Sequence, residues 1–386
     1  MRKNGWLLLV AGFVLAALNL RPALAGVSPL LGEIMSDLSL SPAAAGAITT
    51  IMLLCLGLLG PLGPILSSRL GLDRTLMAGM LLLIAGVVIR SSGGVVTLYL
   101  GAAMAGTAIA FMNVIMPGLV KQHFPDRVGL FTGLYVTSLV SGAALGSAVM
   151  VPLAHELGWR WAAATTAIFA LISAIVWLPQ VLRPPTPPPP QAPRPFRALM
   201  KRRVTWYVAT YMGVQSMSFY IMLAWLPTIF TDAGLSADDA GYLLGLTNLA
   251  QIAATLTVPI HAGKAKSQVP HVVGAAVITI VGYVGVLFWP TTVPWLWMIV
   301  LGLGQGASIA LALLIITLRA PDPRSVTALS AVAQSTGYTL AAIGPVVIGA
   351  IYQVSGNWTV PLVVGLGVCG VQLVLGYLAA RQPHGT

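Results

Sequence analysis

Twelve apolar runs, each long enough to cross a bilayer and each closed by charge, Pro or Gly, leave this chain of 386 residues little room for anything else. They fall at about 5–31, 43–67, 75–91, 95–120, 128–152, 160–181, 204–230, 238–262, 269–289, 294–318, 325–352 and 357–380. Composition agrees: 8% of residues are charged, against about 25% in an ordinary soluble domain, and 57% are hydrophobic. The predicted fold is an all-α membrane protein of twelve transmembrane helices with short loops. No soluble catalytic domain fits. Residues 1–25 imitate a signal peptide, with Arg2 and Lys3 before an apolar stretch, but the pattern continues past Arg21-Pro22 to Leu31 and predicts a retained crossing.

The formal charge is +11, yet the basic residues lie in short clusters between apolar runs and form no single patch, so no nucleic-acid partner is expected. Their placement reports topology. With both termini in the cytoplasm, Arg2, Lys3, Arg69, Arg74, Lys121, Arg127, Arg183, Arg194, Arg197, Lys201, Arg202, Arg203, Lys264, Lys266, Arg319, Arg324 and Arg381 fall inside. Arg90 and Arg160 fall outside, and Arg21 lies within a crossing. Cys55 and Cys369 sit in apolar stretches and behave as small hydrophobes, with no disulfide or metal spacing. His123, His155, His261, His271 and His384 lie near the predicted boundaries, where solvation is expected, and no metal site or cofactor is implied.

Arg183 to Arg203 forms the longest loop and contains Pro184, Pro185 and the run Pro187 to Pro190, a stiff linker between two six-helix bundles at 1–182 and 204–386. An internal repeat supports that division. Asp37 to Gly46 matches Asp232 to Gly241 at five of ten positions with a shift of 195 residues. Nearly the same shift carries Pro125-Asp126 onto Pro321-Asp322, Gly142 onto Gly337 and, after a small insertion, Trp159 onto Trp358. Parallel duplicated halves of this kind hold substrate near the bilayer midplane.

Within that frame Arg21 is the sharpest feature. A guanidinium inside a crossing stays charged and costs ~2.5–3.5 kcal/mol on insertion scales, so it should face a polar cavity. The acids of the chain all lie near run ends or in loops, at Glu33, Asp37, Asp73, Asp126, Glu156, Asp232, Asp238, Asp239 and Asp322. The charge therefore points to an anionic or strongly dipolar solute, with a structural ion pair as the alternative. Pro22 should loosen the helix beside it. Candidate neutral partners are Asn19, Asn113, Gln215, Ser216, Tyr220 and Gln305, with Asn248, Gln251, Gln334 and Tyr338 along the walls and Phe219 with Tyr220 as an aromatic wall for a planar solute. Each polar residue has a bland reading as interhelical glue, and Phe219 and Tyr220 as plain packing. Gly302-Leu-Gly304-Gln-Gly306 follows no strand and reads as close helix packing, not a nucleotide loop.

Asn19-Leu-Arg-Pro22, Phe131-Thr-Gly-Leu-Tyr135, Gly158-Trp-Arg160, Gln215-Ser216 with Tyr220, Trp225-Leu-Pro227, Gln334-Ser-Thr-Gly-Tyr338 and Gly344-Pro345 resemble the cyanate permease and 2-nitroimidazole transporter family of the major facilitator superfamily. The resemblance covers nearly the whole chain. It implies the major facilitator fold of two pseudo-symmetric bundles and a secondary transporter that moves cyanate or a similarly small solute by alternating access. Two departures bear on detail. Gly63 to Gly71 carries Ser68 at the usual acidic position of the loop after the second helix, which weakens a gating role for Asp73 or Arg69. The Gly-Pro pair of many drug antiporters is missing after Gly146.

The rival readings are transport of a planar nitroaromatic or drug-like compound and, from another class, a receptor or structural protein without flux. No Ser-His-Asp, carboxylate pair or metal cluster falls at one depth, so no enzyme is expected. An inside-negative potential opposes uptake of a monovalent anion by about 2.3 kcal/mol per 100 mV. Protons carried by the solute, an exchanged anion or simple facilitation are the coupling options. The expected partners are the solute and the inner-membrane lipid, with the protein a monomer.

Overall fold

In hydrocarbon a backbone must satisfy its own N–H and C=O groups, and the described spans do so as helices. A computed structural model describes residues 3–183 and 199–381. Arg2, Arg194, Arg197, His384 and the prolines of the linker lie outside the described residues.

The first half contains α1 (Lys3–Leu18), α2 (Pro22–Ala25), a 3-10 turn (Ser28–Leu30), α3 (Leu31–Leu38), α4 (Pro42–Leu59), α5 (Leu62–Leu70), α6 (Leu72–Ser92), α7 (Val95–His123), a second 3-10 turn (Pro125–Arg127), α8 (Val128–Leu157) and α9 (Trp159–Val181). The second half contains α10 (Arg203–Asp232), α11 (Ala237–Lys264), α12 (Val269–Phe288), α13 (Pro294–Arg319), α14 (Pro323–Ser355) and α15 (Thr359–Ala380). Among the described residues, 11 helical segments are long and apolar enough to cross a membrane, and the pair Ala47–Leu59 and Leu62–Leu70, bent by 62° near Pro61, brings the count to 12. The expected number of crossings is thus met.

Packing groups the chain into two compact units. The first comprises Met1–His123, Ser138–Pro195 and Asp322–Ala331, and the second Phe124–Thr137, Phe196–Pro321 and Val332–Thr386. In the first unit α6 packs on α7 and α9, α4 on α7, and α1 on α9. In the second, α12 packs on α13 and α15, α11 on α13, and α10 on α15. Third on fourth, third on sixth, second on fourth and first on sixth recur in both, so the sequence repeat is a repeat of structure.

Small residues allow these approaches. A Cβ at Gly86 would lie 2.7 Å from the Ala105 backbone nitrogen, and one at Gly304 would lie 2.6 Å from that of Thr279. Bulky apolar side chains such as Leu58, Ile175 and Val346 point away from each unit's core, as lipid-facing residues do.

The turn after the first span is the same in both halves. Ser39 and Gly234, 195 residues apart, both have positive φ (53° and 99°), and two residues later Ser41 and Ser236 cap the next helix by accepting from the backbone N–H of Ala44 and Asp239.

Candidate functional site

The halves part company at their first spans. In the second unit α10 is one helix of 30 residues. Its counterpart, displaced by 195 residues, is the broken series α1, α2, 3-10 turn and α3. The break falls at Arg21-Pro22, opposite Ser216-Met217 in the repeat. Proline has no N–H to return to Leu18, and the preceding turn has already tightened: Asn19 N shares the Leu15 and Ala16 carbonyls at 3.2 Å each, and Leu20 N bonds Ala17 O at 3.2 Å. The first run therefore stops being a regular helix at Leu18, and is not continuous to Leu31 as its apolar pattern suggests.

Broken backbone at membrane depth is tolerated only where protein or a polar cavity receives it, and here the first unit receives most of it. Gly142 of α8 faces the Leu18 carbonyl so closely that any Cβ would collide with it, and a Cβ at Gly146 would lie 2.7 Å from the Pro22 Cα. Ser147 Oγ donates to Ala25 O at 3.3 Å. The Arg90 guanidinium donates through Nη1 to Ala23 O at 2.6 Å. Arg21 and Pro22 remain half-buried at the centre of this arrangement, and the Arg21 carbonyl accepts from Leu24 N and Ala25 N at 3.0 and 2.8 Å.

Arg90, placed by residue type alone at the external end of its helix, is buried. It lies in the last turn of α6, which runs to Ser92, and its side chain turns into the unit, where 2% of the residue is exposed. His123 was expected in water and is instead partly buried. Its Nε2 lies 2.7 Å from Asp73 Oδ1, its ring meets Trp177 edge-on at 5.9 Å, and Gln122 donates to the same carboxylate at 2.8 Å.

The remaining candidates divide between the units. In the first, Asn19 is buried and its amide donates to Ser173 Oγ at 2.6 Å, Leu15 O at 2.8 Å and Phe169 O at 3.3 Å, tying the break to α9. Asn113 is buried in α7. In the second, Gln215 donates to Ser216 Oγ at 2.8 Å and to Met212 O at 3.2 Å, both side chains being buried. Phe219 and Tyr220 are half-buried with ring centroids 5.2 Å apart in a T-shaped pair. Gln334 is buried in α14, and Tyr338 is half-buried one turn later. Phe219, Met222, Leu244, Thr247, Asn248 and Gln305 line a small recess, with room for about one water molecule, together with nearby leucines.

Behind that recess runs a polar network that residue type alone did not single out. Ser218 Oγ donates to Gln372 Oε1 at 2.9 Å, Gln372 Nε2 donates to Ser308 Oγ at 3.0 Å, and Tyr283 OH donates to Ser218 O at 2.7 Å. Gln305 Nε2 approaches the same carbonyl at 3.5 Å. Four helices, α10, α12, α13 and α15, are joined at their centres, and all five side chains are buried.

Residues 7–342 match the family model for the Major Facilitator Superfamily. The 2-nitroimidazole transporter of Escherichia coli is 37% identical over 97% of this chain and 96% of its own length, and the cyanate transport protein CynX of the same organism is 29% identical over 89% and 90%. The solved structure of the proton:xylose symporter XylE superposes with a TM-score of 0.75 over 97% of this chain and 94% of that one, at 14% identity, a likeness of fold alone. Duplicated six-helix halves and this match across most of the sequence have one reading: the chain belongs to the major facilitator superfamily of membrane transporters.

Proposed function

We propose that this protein is a secondary transporter of a small anionic solute, cyanate-like in size and charge, carried across the inner membrane by alternating access with both termini in the cytoplasm. Boundaries at 1–182, 183–203 and 204–386 fit the repeat. The observation that carries the reading is the position of Arg21, a permanently charged fork of N–H donors at a break in the first span. Such a group is expensive in hydrocarbon and well matched to a planar, delocalised anion. Asn19 and Asn113 of the same unit belong to the proposed site as the groups that shape its polar wall. The kinship to a cyanate transport protein supports the solute class. Driving an anion inward against the membrane potential requires exchange or a co-transported cation.

A second reading, a planar nitroaromatic solute, is favoured by the aromatic pair Phe219 and Tyr220 and by the higher identity to a 2-nitroimidazole transporter. There Phe219 and Tyr220 would take the ring, and Gln215, Ser216, Gln305, Gln334 and Tyr338 would be the polar residues of that unit. Flux of radiolabelled cyanate and 2-nitroimidazole into proteoliposomes, for wild type, Arg21→Ala and Phe219→Ala, with and without a pH gradient, separates the two. Cyanate flux should fall at least about tenfold in Arg21→Ala, the scale of a charge-assisted contact. Unchanged cyanate flux in that variant removes Arg21 as the ligand. Robust nitroimidazole flux that depends on Phe219 and not on Arg21 selects the second reading.

A further inference from the structure

Arg90 is a buried arginine that the solute-binding reading does not use. It stands in the last turn of α6, and its backbone is pressed against α7: a Cβ at Gly101 would meet the Arg90 Cα at 2.6 Å. With its main chain held there, the side chain reaches back to the first span and donates to Ala23 O at 2.6 Å. That carbonyl belongs to the second residue after Arg21, so the two guanidinium-bearing residues meet at one break. A neutral hydroxyl suffices for the neighbouring carbonyl, since Ser147 Oγ serves Ala25 O. Use of a guanidinium where a hydroxyl would do is costly for a residue 2% exposed, because burial penalises the charge itself. The charge is therefore the part of Arg90 that calls for a role.

We propose that Arg90 is a positioning residue for the solute site: it pins the Arg21-Pro22 break through Ala23 and adds a second fixed positive charge to the field that an anion entering the first unit experiences. The proposal rests on Arg21 as the anion ligand, so its test has one arm that needs no solute. The amides of Leu24, Ala25, Gly26 and Val27 bond Arg21 O, Pro22 O and Leu24 O within the pinned turn. Their hydrogen exchange in lipid nanodiscs reports whether the turn is held.

Arg90→Met removes donor and charge, Arg90→Gln keeps an N–H donor without charge, and Arg90→Lys keeps both. Exchange across residues 24–27 should accelerate about tenfold or more in Arg90→Met and stay within about threefold of wild type in Arg90→Lys, because a buried hydrogen bond from a charged donor is lost in one and retained in the other. In proteoliposomes the KM for cyanate should rise about tenfold in both Arg90→Gln and Arg90→Met, with Arg90→Lys restoring it. A merely structural arginine would lower the amount of active protein, and hence Vmax, without moving KM.

Exchange in Arg90→Met equal to wild type overturns the pinning. If that variant does not reach the membrane, Arg90→Gln decides the field: an unchanged cyanate KM there overturns it. Absence of saturable cyanate flux in wild type is a failure of the anion reading and of the field, while the exchange arm still decides the pinning by itself.

Discussion

The indole Nε1–H of Trp358 donates to Asp232 Oδ2 at 2.7 Å, and in the other half Trp159 donates to Asp37 Oδ2 at 3.1 Å. Each bond ties the link after the first span to the start of the sixth helix of the same unit. The third member differs. Arg160 pairs with Asp37, donates to Gly93 O at 3.1 Å and lies 4.6 Å from the Trp159 ring centroid, whereas Tyr352 donates to Asp232 at 2.9 Å and stacks on Trp358 at 4.1 Å. The same clasp is thus ionic in one half and aromatic in the other.

The ionic version has a pH signature. The Trp159 hydrogen bond and then the Arg160 guanidinium hold the Asp37 carboxyl below its ordinary value of 3.8. A carboxylate with a depressed folded pKa contributes stability that is present above the unfolded value and disappears as pH falls through the folded one. The melting temperature of wild type should therefore exceed that of Asp37→Asn by the same margin at about pH 7 and pH 5, and the margin should close only below the ordinary carboxylate range. A margin that already closes between those two values would mean that the carboxylate is not held by its partners.

The contact of α8 with the broken span makes an opposite pair of glycine predictions. Gly142→Ala forces a methyl into the Leu18 carbonyl, and neither backbone can yield without moving the break. Overpacking of this kind costs about 1–3 kcal/mol, so the variant should lose thermal stability in detergent. Gly367 of α15 has nothing within 4 Å of its would-be Cβ, and Gly367→Ala should be neutral or more stable, by up to about 1 kcal/mol, through helix propensity. Equal melting temperatures for the two variants would contradict the close contact.

The spans and the duplication were legible because they are written in long stretches of residue type, and the number of crossings and the paired packing of the halves follow from them. Asp37, Asp232, Trp159 and Trp358 all appear among the repeat matches, yet their bonding was not, since the partners stand over a hundred residues apart and nothing local relates them. Pro22 announced a disturbance of the first helix. The identity of the groups that receive the freed carbonyls did not follow, because it depends on which face of α8 carries Gly142, Gly146 and Ser147. The burial of Arg90 was not legible for a related reason: a basic residue at the end of an apolar run gives no sign of whether its side chain turns outward to water or inward against the first span. Ser218, Ser308 and Gln372 are small or neutral polar residues within apolar runs, with neither depth nor azimuth visible in one sequence.

Those three residues yield a prediction about how the recess beside Phe219 is kept in shape. Gln372 bridges Ser218 Oγ and Ser308 Oγ, but each hydroxyl also bonds its own helix, Ser218 to Gln215 O at 2.9 Å and Ser308 to Gly304 O at 2.8 Å. Loss of the amide therefore leaves no hydroxyl without an acceptor, and Gln372→Leu should cost about 1 kcal/mol, near the usual worth of a hydrogen bond between membrane helices. Tyr283→Phe takes the 2.7 Å donor from Ser218 O and leaves Gln305, a residue of the recess wall, as the side-chain donor to that carbonyl at 3.5 Å, a long contact whose tightening would move the wall. The two substitutions should consequently separate stability from transport. Gln372→Leu should lower the melting temperature by roughly 2–4 °C with solute KM unchanged, and Tyr283→Phe should shift the KM of any solute that uses the recess. A larger effect on KM from Gln372→Leu than from Tyr283→Phe would place the solute's contact nearer α15 than the recess allows.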